Sequence, residues 1–193
     1  ASQAGEPREV TVYQAPFLLG RFEVSRGAFS KRSSRETFEL PMTGREFASV
    51  RGWLGQQPGA LRLPTRLEFL HAATSGLGPE GPTGARQHRG IRPEPTPGEE
   101  RRRRGNLFGL VDLCGNAEEW VEPDWWIWPI AWPRATDSSP ILGRDRDYWL
   151  RQAAVVGGHS GLTRELCSPL MVHYAERTQG LATAGFRVAR SLP

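Results

Sequence analysis

The stretch Asn106-Leu-Phe-Gly-Leu-Val-Asp-Leu-Cys-Gly-Asn-Ala-Glu-Glu-Trp120 decides the reading of this chain. Gly109, Gly115 and Asn116 permit tight backbone bends that bulkier residues resist. Asp112 and Glu119 supply hard carboxylate oxygens, and a bent loop between them can turn carbonyl oxygens inward. Calcium collects about six to eight such oxygens. A second reading stays open on spacing alone: a metal-free loop in which Asp112 and Glu119 cap backbone N–H groups.

Upstream, Thr65 and Glu68 have the Thr-x-x-Glu spacing of a capping box, with Pro64 before them. Leu67, Leu70, Ala73 and Thr74 continue a helical face up to Gly76. Thr43 and Glu46 repeat the device, and Phe47, Val50, Trp53 and Leu54 follow at helical spacing. Residues 9–24 read as two short strands, and Ser25 as the cap of a short helix through Phe29 and Lys31. Downstream, residues 153–156 and 170–174 are apolar runs, and Gly185 to Arg190 alternates like a strand. Helices early and many short strands later predict an α+β fold with irregular connections.

Two stretches break this pattern. Residues 76–105 are punctuated throughout by Gly and Pro and carry Arg101 to Arg104, so they read as a long loop. Residues 121–133 read as a tryptophan-rich insertion limited by Pro129 and Pro133. The run Trp125-Trp-Ile-Trp-Pro-Ile-Ala-Trp-Pro133 reads either as an extension of the core or as a patch through Trp126, Trp128 and Trp132 for a protein partner. Contact with a membrane interface is a further use of exposed tryptophan.

Arg62-Leu-Pro-Thr-Arg-Leu-Glu-Phe-Leu-His-Ala-Ala73, the 106–120 stretch, Val155-Val-Gly-Gly158 and Gly185-Phe-Arg187 follow one another in this order. Together they resemble the formylglycine-generating enzymes, also called sulfatase-modifying factors, over nearly the whole chain. The resemblance implies an α+β, C-type-lectin-like fold with few helices, short antiparallel strands, long ordered loops and paired terminal strands. It implies one such domain over residues 1–193. It also implies calcium held by the side chains of Asp112 and Glu119 and the carbonyls of Gly115 and Ala117.

The family oxidises a substrate cysteine with oxygen, holding Cu(I) between two cysteine thiolates five residues apart, shortly after a Gly-Gly-Ser motif. Soft thiolates in pairs suit Cu(I). Counted on from Gly157-Gly158, those positions are Leu162 and Cys167, and His159 replaces the serine. Copper is therefore not expected. Cys167 is the only catalytic candidate, and a lone cysteine with apolar flanks is usually a small core residue. The expected function is a non-catalytic sulfatase-modifying-factor-like module that binds a protein or ligand. The alternative is an oxidoreductase of the formylglycine-generating type with a displaced site. A variable ligand-display protein ranks last, because residues 157–180 hold no asparagine and one tyrosine.

Composition narrows the rest. The 193 residues can bury a sizeable core without staples. Two cysteines exclude a disulfide-rich scaffold or a four-cysteine zinc site. The net charge is +4, and most basic residues are scattered. The exception, Arg101 to Arg104 with Arg86, Arg89 and Arg92 upstream, is diluted by Glu94, Glu99 and Glu100 and reads as a solvated loop, so no nucleic-acid partner is expected. No apolar run is long enough to cross a bilayer as a helix. The start at Ala1 points to a removed leader or a trimmed chain, with an extracytoplasmic compartment, periplasmic or secreted, favoured.

Overall fold

Apolar residues three and four apart on two early helices, and in unbroken runs on two later strands, build two adjoining cores in the computed structural model. It describes residues 13–30, 37–75, 105–122, 146–162 and 167–193. In chain order the described elements are β1 (Phe17–Leu19), α1 (Arg26–Phe29), α2 (Phe47–Gly55), α3 (Arg66–Ala73) and β2 (Glu118–Val121). They continue with α4 (Arg146–Arg151), β3 (Gln152–Val156), β4 (Val172–Glu176), β5 (Ala184–Gly185) and β6 (Ala189–Ser191).

Four strands form a sheet in the order β4-β3-β2-β5, and β1 pairs with β6 in a second sheet. β3 is buried along its whole length. Its alternating residues serve the two cores. Ala153 and Val155 join Trp120, Phe47, Val50, Leu54 and Phe186 on one face, and Ala154 and Val156 join Val121, Phe69, Ala72 and Ala73 on the other. This is why 153–156 reads as a continuous apolar run: a strand covered on both faces has no solvent side. α2 closes the first core and α3 the second. Full burial of each large apolar side chain contributes about 1.5–3 kcal/mol.

The chain ends meet. β1 and β6 are antiparallel with Leu18 opposite Arg190. The strands are short, but not all are antiparallel: β2 and β5 run parallel, with Glu119 opposite Gly185. Gly185 to Arg190 is not one alternating strand either. Phe186 and Arg187 lie between β5 and β6, and both are completely enclosed.

Local signals divide in an instructive way. Ser25 caps α1, its hydroxyl accepting from the Ala28 N–H at 3.2 Å. The Thr65 box forms in full: Oγ1 accepts from the Glu68 N–H at 3.1 Å, and the carboxylate accepts from the Thr65 N–H at 2.8 Å. The buried face of α3 is displaced from the expected one, carrying Glu68, Phe69, Ala72 and Ala73. At Thr43 no box forms. Glu46 is itself the cap residue of α2 and makes no side-chain cap bond. The cause lies between them. Gly44 takes φ +75° and donates its N–H to the Leu181 carbonyl at 2.9 Å, which turns the chain away before the helix starts.

Candidate functional site

The loop before β2 bends where its residue types allow. Asp112, Gly115 and Asn116 all have positive φ. The bends bring Glu119 into the interior, where the motif's last arginine meets it. Arg187 Nε donates to Glu119 Oε2 at 2.7 Å and Nη2 donates to Oε1 at 2.5 Å, and both side chains are fully buried. The remaining guanidinium N–H groups reach the carbonyls of Gly20, Arg21, Val111 and Asp112 at 3.1–3.5 Å. One side chain thus ties the exit of β1, the loop at 111–112 and β2 together. Glu23 and Asp112 lie close enough to act on both partners. Enclosure pushes the Glu119 carboxyl up to about 7; Arg187 opposes this, while Glu23 and Asp112 add to it. Asn116 donates to Glu23 at 2.7 Å and closes the polar cluster.

This arrangement does not fit the calcium set of Asp112, Gly115, Ala117 and Glu119. A cation would need Glu119 as an oxygen donor, and both its oxygens already accept from a guanidinium. A second positive charge beside Arg187 adds repulsion in a medium that screens poorly. Among the described residues, no three His, Cys, Asp or Glu side chains converge as metal ligands.

The second feature is the turn at Gly157-Gly158. Gly157 has φ +88°, and a Cβ there would lie 3.0 Å from the Leu113 carbonyl oxygen. Gly158 has φ +67°, and a Cβ there would lie 3.2 Å from Cys167 Sγ and 3.3 Å from Leu162 Cδ1. The two positions singled out by counting therefore do converge on one glycine. One offers a sulfur and the other a methyl group. Cys167 is almost fully enclosed, burial raises its pKa, and its thiol donates to the His159 carbonyl at 3.5 Å. His159 Nδ1 accepts from the Gly161 N–H at 3.1 Å, within its own turn. These contacts bind Cys167 to the His159 backbone rather than to its ring.

Away from both features, His173 on β4 sets Nδ1 3.7 Å from Glu118 of β2, and the Thr183 hydroxyl donates to the same carboxylate. A groove of 450 Å³ runs beside β1 and is lined by Phe17, Leu19, His71, Phe108 and neighbouring residues. Trp126, Trp128 and Trp132 lie outside the described residues, as do 76–104 of the Gly/Pro-rich loop and 123–133 of the insertion. Sequence reading quoted Arg187 without giving it a partner and passed over Glu23. No local signal marks either residue, because their partners are distant in the chain.

No protein-family model matches the chain, and no curated protein matches it. Among described helices none is long and apolar enough to cross a membrane. Solved structures do resemble it. PvdO from Pseudomonas aeruginosa superposes with a TM-score of 0.67 at 17% identity, over 98% of this chain and 87% of that one. CarF gives 0.65 at 15% identity, over 95% and 89%. Treponema denticola variable protein 1 gives 0.63 at 13% identity, over 91% and 84%. Identities this low speak for fold alone: PvdO and CarF have formylglycine-generating-enzyme-like folds, and this chain shares their α+β arrangement.

Proposed function

We propose that this chain is a non-catalytic binding module built on a formylglycine-generating-enzyme-like scaffold of C-type-lectin type, degenerate at the copper site. The convergence of Leu162 and Cys167 on Gly158 carries the reading. A univalent copper ion held in linear geometry needs two soft donors, and a leucine methyl is not one. Burial of Cys167 points the same way, since the thiolate is the metal ligand and enclosure favours the thiol. The pairing of β1 with β6 agrees with the lectin-like arrangement. Binding would fall to the loops and the groove beside β1, with a protein partner met through the tryptophan run at 125–132. An extracytoplasmic location suits such a module.

Titration of reduced protein with Cu(I), against a chromophoric chelator, tests this. The expected result is no stoichiometric complex. A one-to-one complex lost in Cys167→Ser, together with conversion of a peptidyl cysteine to an aldehyde, would establish the oxidoreductase reading instead. One observation favours that reading enough to require the experiment: Cys114 lies close enough for a charge on Cys167 to raise its pKa, so a second sulfur is near.

A further inference from the structure

The two cysteines, 53 positions apart in the sequence, flank the same glycine turn. The Gly115 N–H, one residue beyond Cys114, donates to the Gly157 carbonyl at 2.9 Å. Gly157 also lies against Leu113, the residue before Cys114, and Gly158 lies against Cys167 Sγ. Both thiols are free and almost fully enclosed. Each senses burial, which raises its pKa, and Cys114 also senses Cys167. Cys114 also adjoins the buried pair, since Glu119 raises its pKa further and Arg187 lowers it.

We infer that Cys114 and Cys167 are a disulfide-forming pair, joined when the chain folds in the presence of a small disulfide donor. The chemistry is thiol–disulfide exchange. One cysteine thiolate attacks the donor, forming a mixed disulfide and releasing one donor thiolate. The second cysteine then displaces the other half of the donor. The two cysteines are oxidised to one S–S bond, the donor is reduced to two thiols, and the two cysteine protons pass to the released thiolates or to solvent. Enclosure explains why this belongs to folding. In the finished fold both sulfurs are protonated and shielded, so exchange is slow. The bond would clip the loop before β2 to the segment before β4, closing a large chain loop and restricting the unfolded ensemble.

The test is to unfold the reduced protein and refold it over mixed reduced and oxidised glutathione. Native refolding is checked by circular dichroism, and thiols are then counted under denaturing conditions. The expected product is a monomer with no titratable thiol, a peptide map joining Cys114 to Cys167, and a melting temperature roughly 5–10 °C above that of the reduced protein. Cys114→Ser and Cys167→Ser should each refold with a free or glutathionylated partner thiol and lack the rise in melting temperature. The inference fails if natively refolded wild type keeps both thiols, or if the only disulfides run between chains. The copper titration uses reduced protein, so either reading can fail without the other.

Discussion

Two neighbourhoods hold the loop before β2 in place, one by polar chemistry and one by packing. At Arg187 the polar chemistry is complete: a bidentate carboxylate and four backbone carbonyls surround one guanidinium. At Gly158 the surroundings are apolar: the Cys167 thiol and a Leu162 methyl group both lie against the glycine. The contrast separates what a scaffold requires from what a reaction requires. Loss of half a buried ion pair leaves its partner uncompensated and is strongly destabilising. Exchange of one side chain for another of similar size at an apolar contact costs much less.

The largest effect should come from breaking the complete side. Arg187→Met removes the charge and both bonds that oppose the enclosure of Glu119 beside Glu23 and Asp112, and should cost about 3–5 kcal/mol, read from urea unfolding. Replacing both members with apolar residues should recover much of the loss, since a buried pair offsets little more than its own desolvation. The acidity of Glu119 sharpens the point. Its carboxyl in the fold titrates near 7, above the ordinary value of 4.5. The folded state therefore holds a proton that the unfolded state releases between those values. Its contribution to stability is full below about pH 4.5 and is lost as pH rises through about 7. Glu119→Gln should remove that fall, seen as a flatter melting-temperature profile than wild type across the same window. A parallel profile would show that Arg187 keeps Glu119 ionised throughout.

The next effect probes the packed side. Gly157→Ala forces a side chain into the left-handed region and towards the Leu113 carbonyl, and should cost about 2 kcal/mol. Gly52→Ala is the control. Gly52 lies within α2 with open space where its Cβ would stand, so alanine should stabilise the protein by about 0.5–1 kcal/mol. Thermal melts of the two variants should shift in opposite directions. A neutral Gly157→Ala would mean that the turn flexes, and that Leu162 and Cys167 are not fixed against it.

Where the sequence was legible, the signal was local. The Thr65 box, the Ser25 cap and the bends at Gly109, Gly115 and Asn116 each rest on neighbours within a few residues. Partners distant in the chain were not legible. Nothing within the alternation from Gly185 to Arg190 shows that Arg187 turns inward, because its acceptors lie at residues 20, 21, 111, 112 and 119. Counting from Gly158 did identify Leu162 and Cys167, and both side chains lie against that glycine. The neighbourhood of Cys114 could not be counted, because it depends on a hydrogen bond across the sheet end, from Gly115 to Gly157.

The smallest effect tests how far a local signal can be trusted without its surroundings. Thr43-x-x-Glu46 and Thr65-x-x-Glu68 have the same spacing, yet only the second forms a box. The difference lies outside the motif. Glu68 is enclosed and also takes two bonds from the Arg62 guanidinium, at 2.6 and 2.7 Å, which fix its carboxylate where the Thr65 N–H can reach it. Glu46 is exposed, and Gly44 has already turned the chain. Thr65→Ala should therefore cost about 1 kcal/mol, whereas Thr43→Ala should stay within about 0.5 kcal/mol of wild type, both read from denaturant midpoints. If the two substitutions cost the same, spacing alone governs the caps. If only Thr65 matters, the arginine six residues before Glu68 in the chain and the turn at Gly44 decide which identical motif becomes structure.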